Sequence, residues 1–242
     1  TKSKITYSGF CIRTRIKNKT EHDSIFWTYH FKNISFRKSM SGNAVGTNIQ
    51  NLSQGMLSNY EAEVPDYNTQ LRIASILSTY DNLIENNQKQ IKLLEEVVHR
   101  LYKEWFIDLR FPGYENVEII DGVPEGWYIN RADHYFKITI GKTPSRAEKQ
   151  WFTDSREGTP WISISDMGES GAFAFYSKEG LTADAIIRHN MKVVPKGTIL
   201  VSFKLTVGRV AITSIDMCTN EAIAHFYIDN DLDRAYTYCY LK

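Results

Sequence analysis

The chain has 242 residues, 42% of them hydrophobic and 13% aromatic, with 29 Lys and Arg against 28 Asp and Glu. That length holds one or two domains with packed cores. No run approaches the roughly 18 apolar residues of a membrane-spanning helix, and three cysteines without a CxxC pair exclude a disulfide scaffold or a structural zinc site.

The cysteines are Cys11, Cys218 and Cys239, and a reducing cytoplasm is the default compartment for such a chain. The charge is uneven. Residues 1–64 carry nine Lys and Arg against four Asp and Glu, a net of +5, whereas residues 114–242 carry 14 against 17, a net of −3. A basic segment of this kind fits contact with a polyanion, or equally a solvated basic face. The chain opens on Thr1 rather than Met, which reads as a fragment or a processed product.

Residues 1–64 read as short strands. Lys4–Arg15 and Ser24–Phe31 are rich in Ile, Phe, Tyr, Trp and Thr. Ser41–Thr47 is a loop, and Ile49–Leu57 and a strand-like Ala62–Pro65 follow. Asp66 is then placed to cap a helix, with Pro65 closing the segment before it.

From Gln70 to Phe106 the spacing predicts one long helix. Ile73, Leu77, Tyr80, Ile84, Asn87, Ile91, Leu94, Val98, Leu101 and Trp105 alternate at four and three residues, the coiled-coil period. Such a helix rises about 1.5 Å per residue and spans roughly 55 Å. It needs a partner helix for its seam. Asn87 in that seam fits the use of a buried amide to fix register and partner number. Phe111-Pro112-Gly113 is expected to end it.

Residues 114–242 read as β-rich. Trp151–Asp166, Gly171–Tyr176, Thr198–Lys204, Arg209–Ser214 and Ala222–Ile228 carry strand patterns, separated by turns at Val123-Pro-Glu-Gly, Gly141-Lys-Thr-Pro and Val194-Pro-Lys-Gly. A weak repeat links the ends. Lys4-Ile-Thr through Phe26-Trp-Thr-Tyr-His-Phe-Lys32 runs parallel to Ala211-Ile-Thr through Ala235-Tyr-Thr-Tyr-Cys-Tyr-Leu-Lys242. Chance likeness between two strand pairs is the other explanation. A true repeat makes the chain the back half of one domain, a helix, and the front half of a second copy.

No phosphate-binding glycine loop, zincin pattern, nucleophile elbow or methyltransferase motif is present, so catalysis by this chain is not expected. His22, His30, His99, His134, His189 and His225 are scattered. Two loops carry the chemistry of a polyanion contact instead. Gly141-Lys142-Thr143-Pro144-Ser145-Arg146 offers a Lys, an Arg, two hydroxyls and backbone N–H groups suited to phosphate oxygens or guanine edges. Ser202-Phe-Lys204-Leu-Thr206-Val-Gly-Arg209 is a second, or else an ordinary hairpin with solvated charges. Asp166, at the end of Trp161-Ile-Ser-Ile-Ser-Asp, either accepts from a cytosine amino group or caps a turn, and Trp161 reads as core.

Several strings together resemble the specificity subunit of type I restriction–modification enzymes. They are Thr47-Asn-Ile-Gln-Asn-Leu-Ser53, Val64-Pro, Gln70-Leu-Arg-Ile-Ala74, Leu77-Ser-Thr-Tyr-Asp-Asn-Leu-Ile84, Leu101-Tyr-Lys-Glu-Trp-Phe106, Phe111-Pro-Gly113, Gly126-Trp127, Gly141-Lys-Thr-Pro144, Pro160-Trp-Ile-Ser-Ile-Ser-Asp166 and Thr219-Asn-Glu-Ala222. The resemblance implies an α+β fold, with β-rich target-recognition domains joined by long coiled-coil helices. It divides the chain into 1–64, the C-terminal part of a first recognition domain; 65–113, the spacer helix; and 114–242, the N-terminal part of a second.

The resemblance also implies double-stranded DNA as ligand, in a bacterial or archaeal cytoplasm. Methyltransferase subunits and a restriction subunit are the implied partners, with S-adenosylmethionine, ATP and Mg belonging to them. The front of a first recognition domain and the back of the second, with its helix, have no counterpart here, so the seam is expected to pair with another chain, including a second copy. Arg37, Lys38, Thr47, Asn48, Lys142, Thr143, Ser145, Arg146, Asp166, Ser202, Lys204, Thr206 and Arg209 are the expected DNA contacts. The alternative is a coiled-coil scaffold with protein-binding heads. It explains the helix equally well, but not the Gly/Thr/Lys/Arg loops or the basic first segment.

Overall fold

The computed structural model describes Ser8, residues 11–42 and residues 52–242. They fall into two compact units, residues 1–94 and 95–242.

The first unit is helical where strands are expected. It contains α1 (Ser24–Lys32), α2 (Ile34–Gly42), α3 (Gln54–Ser58) and most of α4 (Tyr67–Tyr102). Asp23 decides the first of these: its carboxylate accepts from Phe26 N at 2.8 Å and supplies an N-cap. The aromatic residues that suggest a strand then stack along the helix at three- and four-residue spacing, with Trp27 and Phe31 centroids 5.4 Å apart. Local capping and aromatic packing override the β preference of Ile, Phe, Trp and Thr. The described part of Lys4–Arg15 and the stretch Ala62–Pro65 form no strand.

Gln70, 1% exposed, ties α1 to α4. Its Oε1 accepts from Asp23 N at 3.1 Å, and its Nε2 donates to Glu21 O at 3.1 Å and Pro65 O at 2.8 Å. Asp66 caps α4 as its position suggests, accepting from Thr69 N at 3.1 Å and Thr69 Oγ1 at 2.6 Å.

The 36 residues of α4 rise about 54 Å. Its seam lies open: Tyr80 is 64% and Leu94 65% exposed, and Leu77, Ile84, Ile91, Val98 and Leu101 are also exposed. A π-helical turn at Lys103–Ile107 extends it. The helix ends earlier than the Pro-Gly pair. Leu109 takes a left-handed φ of 55°, and Arg110 N donates back to Glu104 O at 2.8 Å, a reversal usually made at glycine. Gly113, at φ 88°, opens the next short turn instead.

The second unit carries the sheets. In chain order it holds β1 (Ile119–Ile120), β2 (Val123–Pro124), α5 (Ala132–Tyr135), β3 (Lys137–Ile140), β4 (Phe152–Asp154), β5 (Thr159–Ile162), α6 (Ile164–Glu169), β6 (Phe173–Ala174), β7 (Glu179–Leu181), α7 (Ala183–Arg188), β8 (Ile199–Ser202), β9 (Val210–Thr213), β10 (Cys218–Thr219), β11 (Ile223–Tyr227) and α8 (Asp231–Leu241). One sheet has the order β3-β11-β8-β9-β6 and another β10-β5-β7-β4, while β1 and β2 form a hairpin. The α+β class expected from the sequence is the one observed.

Successive residues of a strand face opposite sides. Leu200, Ala211 and Ile223 therefore join Ile162, Met167 and Met217 in one core, while Ile199, Val210 and Ile212 meet Tyr238 and Cys239 of α8 in another. The end of α4 and the turn after it close that second core: Phe106 lies 4.7 Å and Tyr102 5.8 Å from the Tyr236 ring. Burial, with the neighbouring Tyr236 and Tyr240, pushes the Tyr102 phenol up to about 12.

The repeat has a structural counterpart in its closing segments. Trp27–Lys32 and Tyr236–Leu241 are both helical, in α1 and α8, and each helix opens on an Asx cap, Asp23 or Asn230. The opening segment at Lys4–Thr6 lies outside the described residues. Among the described residues, no helix is long and apolar enough to cross a membrane.

Candidate nucleic-acid interface

Two loops of the second unit converge on a third, Thr219–Ala222. Gly141 N donates to Ile223 O at 3.1 Å and Lys142 N to Thr219 O at 3.1 Å, which seats loop 141–146. Phe203 N donates to Ala222 O at 3.0 Å, which seats loop 203–208 beside it. The approach is close enough to require glycine at 141: an added Cβ would lie 2.2 Å from Asn220 O and 2.4 Å from Thr219 O.

Lys142, Thr143, Arg146 and Lys204 meet on this surface. The Lys142 ammonium lies 3.4 and 3.3 Å from the carbonyls of His189 and Asn190, at the C-terminal end of α7, where a cation is favoured. Thr143 Oγ1 donates to Glu221. That bond, more than the nearby charges of Lys204 and Arg146, holds the Glu221 carboxyl below its ordinary range. The Arg146 guanidinium sits 4.3 Å from the Phe152 ring centre and 4.6 Å from that of Trp161. Its Nη1 donates to both Glu179 oxygens, at 2.9 and 2.8 Å. A stacked, paired guanidinium presents its remaining N–H groups in a fixed plane. Trp161 is core, 2% exposed, with Nε1 donating to Lys142 O at 3.1 Å.

Asp166, Ser202 and Arg209 are placed differently from the other expected contacts. Asp166 is 5% exposed and completes a capping box at the start of α6, accepting from Ser163 N at 2.9 Å and Ser163 Oγ at 2.7 Å. Ser202 is buried, donates from Oγ to Thr206 O at 2.5 Å and accepts from Arg209 N at 3.0 Å. The half-buried Arg209 donates from Nη1 to Ile164 O at 2.5 Å and lies over Gly168, where a Cβ would be 2.5 Å from it. Ser202 and Arg209 thus brace the hairpin loop from behind, and Asp166 caps α6. Ser145 and Thr206 are exposed on the loops.

In the first unit, Arg37 and Lys38 are exposed on α2. Thr47 and Asn48 lie outside the described residues. A cleft of about 1080 Å³ in this unit is lined by Arg15, Lys17, Lys19, Trp27 and Tyr67 among others. His22 Nδ1 and Trp27 Nε1, buried at its wall, have no hydrogen-bond partner among the described residues.

Glu179 and Glu221, which hold Arg146 and Thr143, and the exposed Leu205 and Val207 also belong to this surface and are not among the residues expected from the sequence. Glu221 stands inside the Thr219-Asn-Glu-Ala222 string and could have been found there. Glu179 has no local signal, because its partner is 33 residues away. Among the described residues, no cluster of three or more His, Cys, Asp and Glu could hold a metal ion.

The chain matches known proteins along most of its length. The family model described as "Type I restriction modification DNA specificity domain" matches residues 1–96 and 124–242. The MjaIX type I restriction enzyme specificity subunit of Methanocaldococcus jannaschii is 30% identical over 139 residues, covering 54% of this chain and 31% of that protein. The HindI specificity subunit of Haemophilus influenzae is 25% identical over 247 aligned positions, covering 77% and 52%. The solved S subunit of a type I restriction–modification system from M. genitalium has a TM-score of 0.48 and 20% identity, covering 93% and 54%. The chain thus spans about half or less of the length of these relatives.

Proposed function

The chain belongs to the family of type I restriction modification DNA specificity domains, and we propose that it is a non-catalytic, DNA-reading component of a type I restriction–modification complex. The observation that carries this reading is the three-loop surface. Lys142, Arg146 and Lys204 stand together there with the carboxylates of Glu221 and Glu179, at the strand ends of β3, β8, β9 and β11. Lysine neutralises phosphates, while the stacked Arg146 and the hydroxyls of Thr143, Ser145 and Thr206 face base edges. Arg37 and Lys38, with Thr47 and Asn48, contact DNA from the first unit.

Methyltransferase subunits and a restriction subunit are the proposed protein partners. S-adenosylmethionine, ATP and Mg belong to them in this reading. The seam from Ile73 through α4 to Trp105 in the turn after it, exposed from Leu77 to Leu101, is the proposed partner-helix surface, and a second copy of the chain is one occupant it accepts. The scaffold reading leaves the charged loop surface without a purpose.

The test is fluorescence anisotropy with random duplexes at low and moderate salt. A proposed DNA-reading surface gives binding that weakens steeply as salt rises, since each neutralised phosphate contributes about −0.9 to the slope of log K against log salt. Absence of salt-dependent binding, with or without methyltransferase subunits, overturns the reading.

A further inference from the structure

We infer that the hairpin tip between β8 and β9 recognises thymine methyl groups, through Leu205 and Val207, in the major groove of the bound duplex. The inference rests on the DNA-reading function proposed above and specifies what one of its loops reads.

The tip is built to hold apolar side chains outward. β8 and β9 pair antiparallel up to Val201 and Val210. Beyond them Ser202 closes the ribbon, donating to Thr206 O and accepting from Arg209 N. Gly208 N adds a bond to Ser202 O at 2.9 Å. On this clamped loop Leu205 is 92% exposed and Val207 74% exposed. Leu205 also takes φ +61°, a left-handed conformation that a leucine adopts only against its preference. Exposure and backbone strain at one apolar residue do nothing for the fold's own stability.

The surroundings select the occupant. Lys204 lies between the two apolar residues and Phe203, its ammonium 5.6 Å from the Phe203 ring centre. Lys142 and Arg146 sit on the adjoining loop. With Lys204 they bring three positive charges to this corner against Glu221 and the paired Glu179. A polyanion therefore fits better than an apolar protein groove. On double-stranded DNA the major groove admits a two-stranded β-ribbon, and the thymine methyl is the apolar group displayed on its base edges. Lys204 then meets the phosphate backbone while Leu205 and Val207 enter the groove.

The test uses a duplex selected from a random pool by the intact chain, and the same duplex with uracil replacing thymine, a change that removes only methyl groups. Wild type is expected to bind the uracil duplex about fourfold more weakly for each methyl contacted, with an unchanged salt slope. Leu205→Gly accepts the left-handed backbone without strain and keeps the hairpin folded; it is expected to weaken the preference for thymine at the same slope. Equal affinity of wild type for both duplexes, or an undiminished thymine preference in Leu205→Gly, overturns the inference while leaving DNA binding intact. A Leu205→Gly chain that binds both duplexes as wild type does but loses affinity for a methyltransferase subunit makes the tip a protein contact, and also overturns it. Failure to enrich any duplex with salt-dependent binding is a different outcome, and removes the DNA-reading function itself.

Discussion

Gly141 lies so near Thr219 that a Cβ on it would sit 2.1 Å from the threonine Oγ1 and 2.4 Å from its carbonyl oxygen. Rotation of the hydroxyl could relieve the first contact. The second is backbone, as is Asn220 O at 2.2 Å, and neither can move without pulling loop 141–146 off the β10–β11 turn. Gly141→Ala is therefore expected to destabilise the second unit by about 3 kcal/mol and to weaken duplex binding with it. Urea unfolding followed by tryptophan fluorescence checks this; a midpoint equal to wild type would contradict it.

Gln70 plays the corresponding role in the first unit. Gln70→Leu keeps much of the volume and orphans Asp23 N, Glu21 O and Pro65 O at once. A loss of about 3 kcal/mol is expected, because buried backbone groups left without partners carry their full desolvation cost. Amide exchange locates the effect: protection across α1 and the first turn of α4 should fall, while that of β8 and β11 should not change.

His225 makes the second unit acid-sensitive. It is fully buried on β11, with its ring nitrogens 2.9 Å from Thr139 Oγ1 and 2.7 Å from Thr219 Oγ1. Burial, and to a smaller extent the positive charge of Lys192, lowers its pKa from 6.5 to about 4. The unfolded chain then binds the proton more readily than the folded one between those values. The stability from keeping the ring neutral is present above pH 6.5 and lost as pH falls toward 4, by up to about 3 kcal/mol. His225→Gln is expected to flatten that part of the stability–pH curve, as read by thermal unfolding from pH 7 to 4.

The seam of α4 exposes Leu77, Tyr80, Ile84, Ile91, Leu94, Val98 and Leu101. An apolar stripe at coiled-coil spacing associates when a matching helix is present. Sedimentation of the chain alone should show concentration-dependent self-association, and Ile84→Lys with Ile91→Lys should shift it toward monomer without changing helix content. A wild-type chain that remains monomeric at high micromolar concentration argues against a second copy as occupant.

What could be read in advance follows from where each signal resides. The α4 helix was legible because its pattern repeats over ten seam positions and needs no distant residue. β8, β9 and β11 were legible from short apolar runs between turns. Ser24–Phe31 misled because Trp, Tyr, Phe and Thr suit strands, whereas one carboxylate at Asp23 started a helix. Ile162-Ser-Ile-Ser likewise alternates as a strand does, yet the Ser163–Asp166 capping box begins α6 inside it. That box is also why Asp166 turns inward. The left-handed backbones of Leu109 and Leu205 had no sequence signal, since nothing about leucine marks such a position. Lys142, Thr143, Arg146 and Lys204 were legible as loop residues. Their convergence on Thr219–Ala222 was not, because it depends on non-local bonds that join Gly141 and Lys142 to residues some 80 positions away and Phe203 to Ala222 on the next strand connection.

The most direct measurement is the salt dependence of duplex binding by wild type and Lys204→Ala. Lys204 is exposed on the loop tip and holds none of the hydrogen bonds that close the hairpin, so the variant should fold as wild type does. The expected result is weaker binding across all duplex sequences, with a slope of log K against log salt shallower by about 1. Identical affinity and slope for the two proteins would contradict the assignment of this loop surface to DNA.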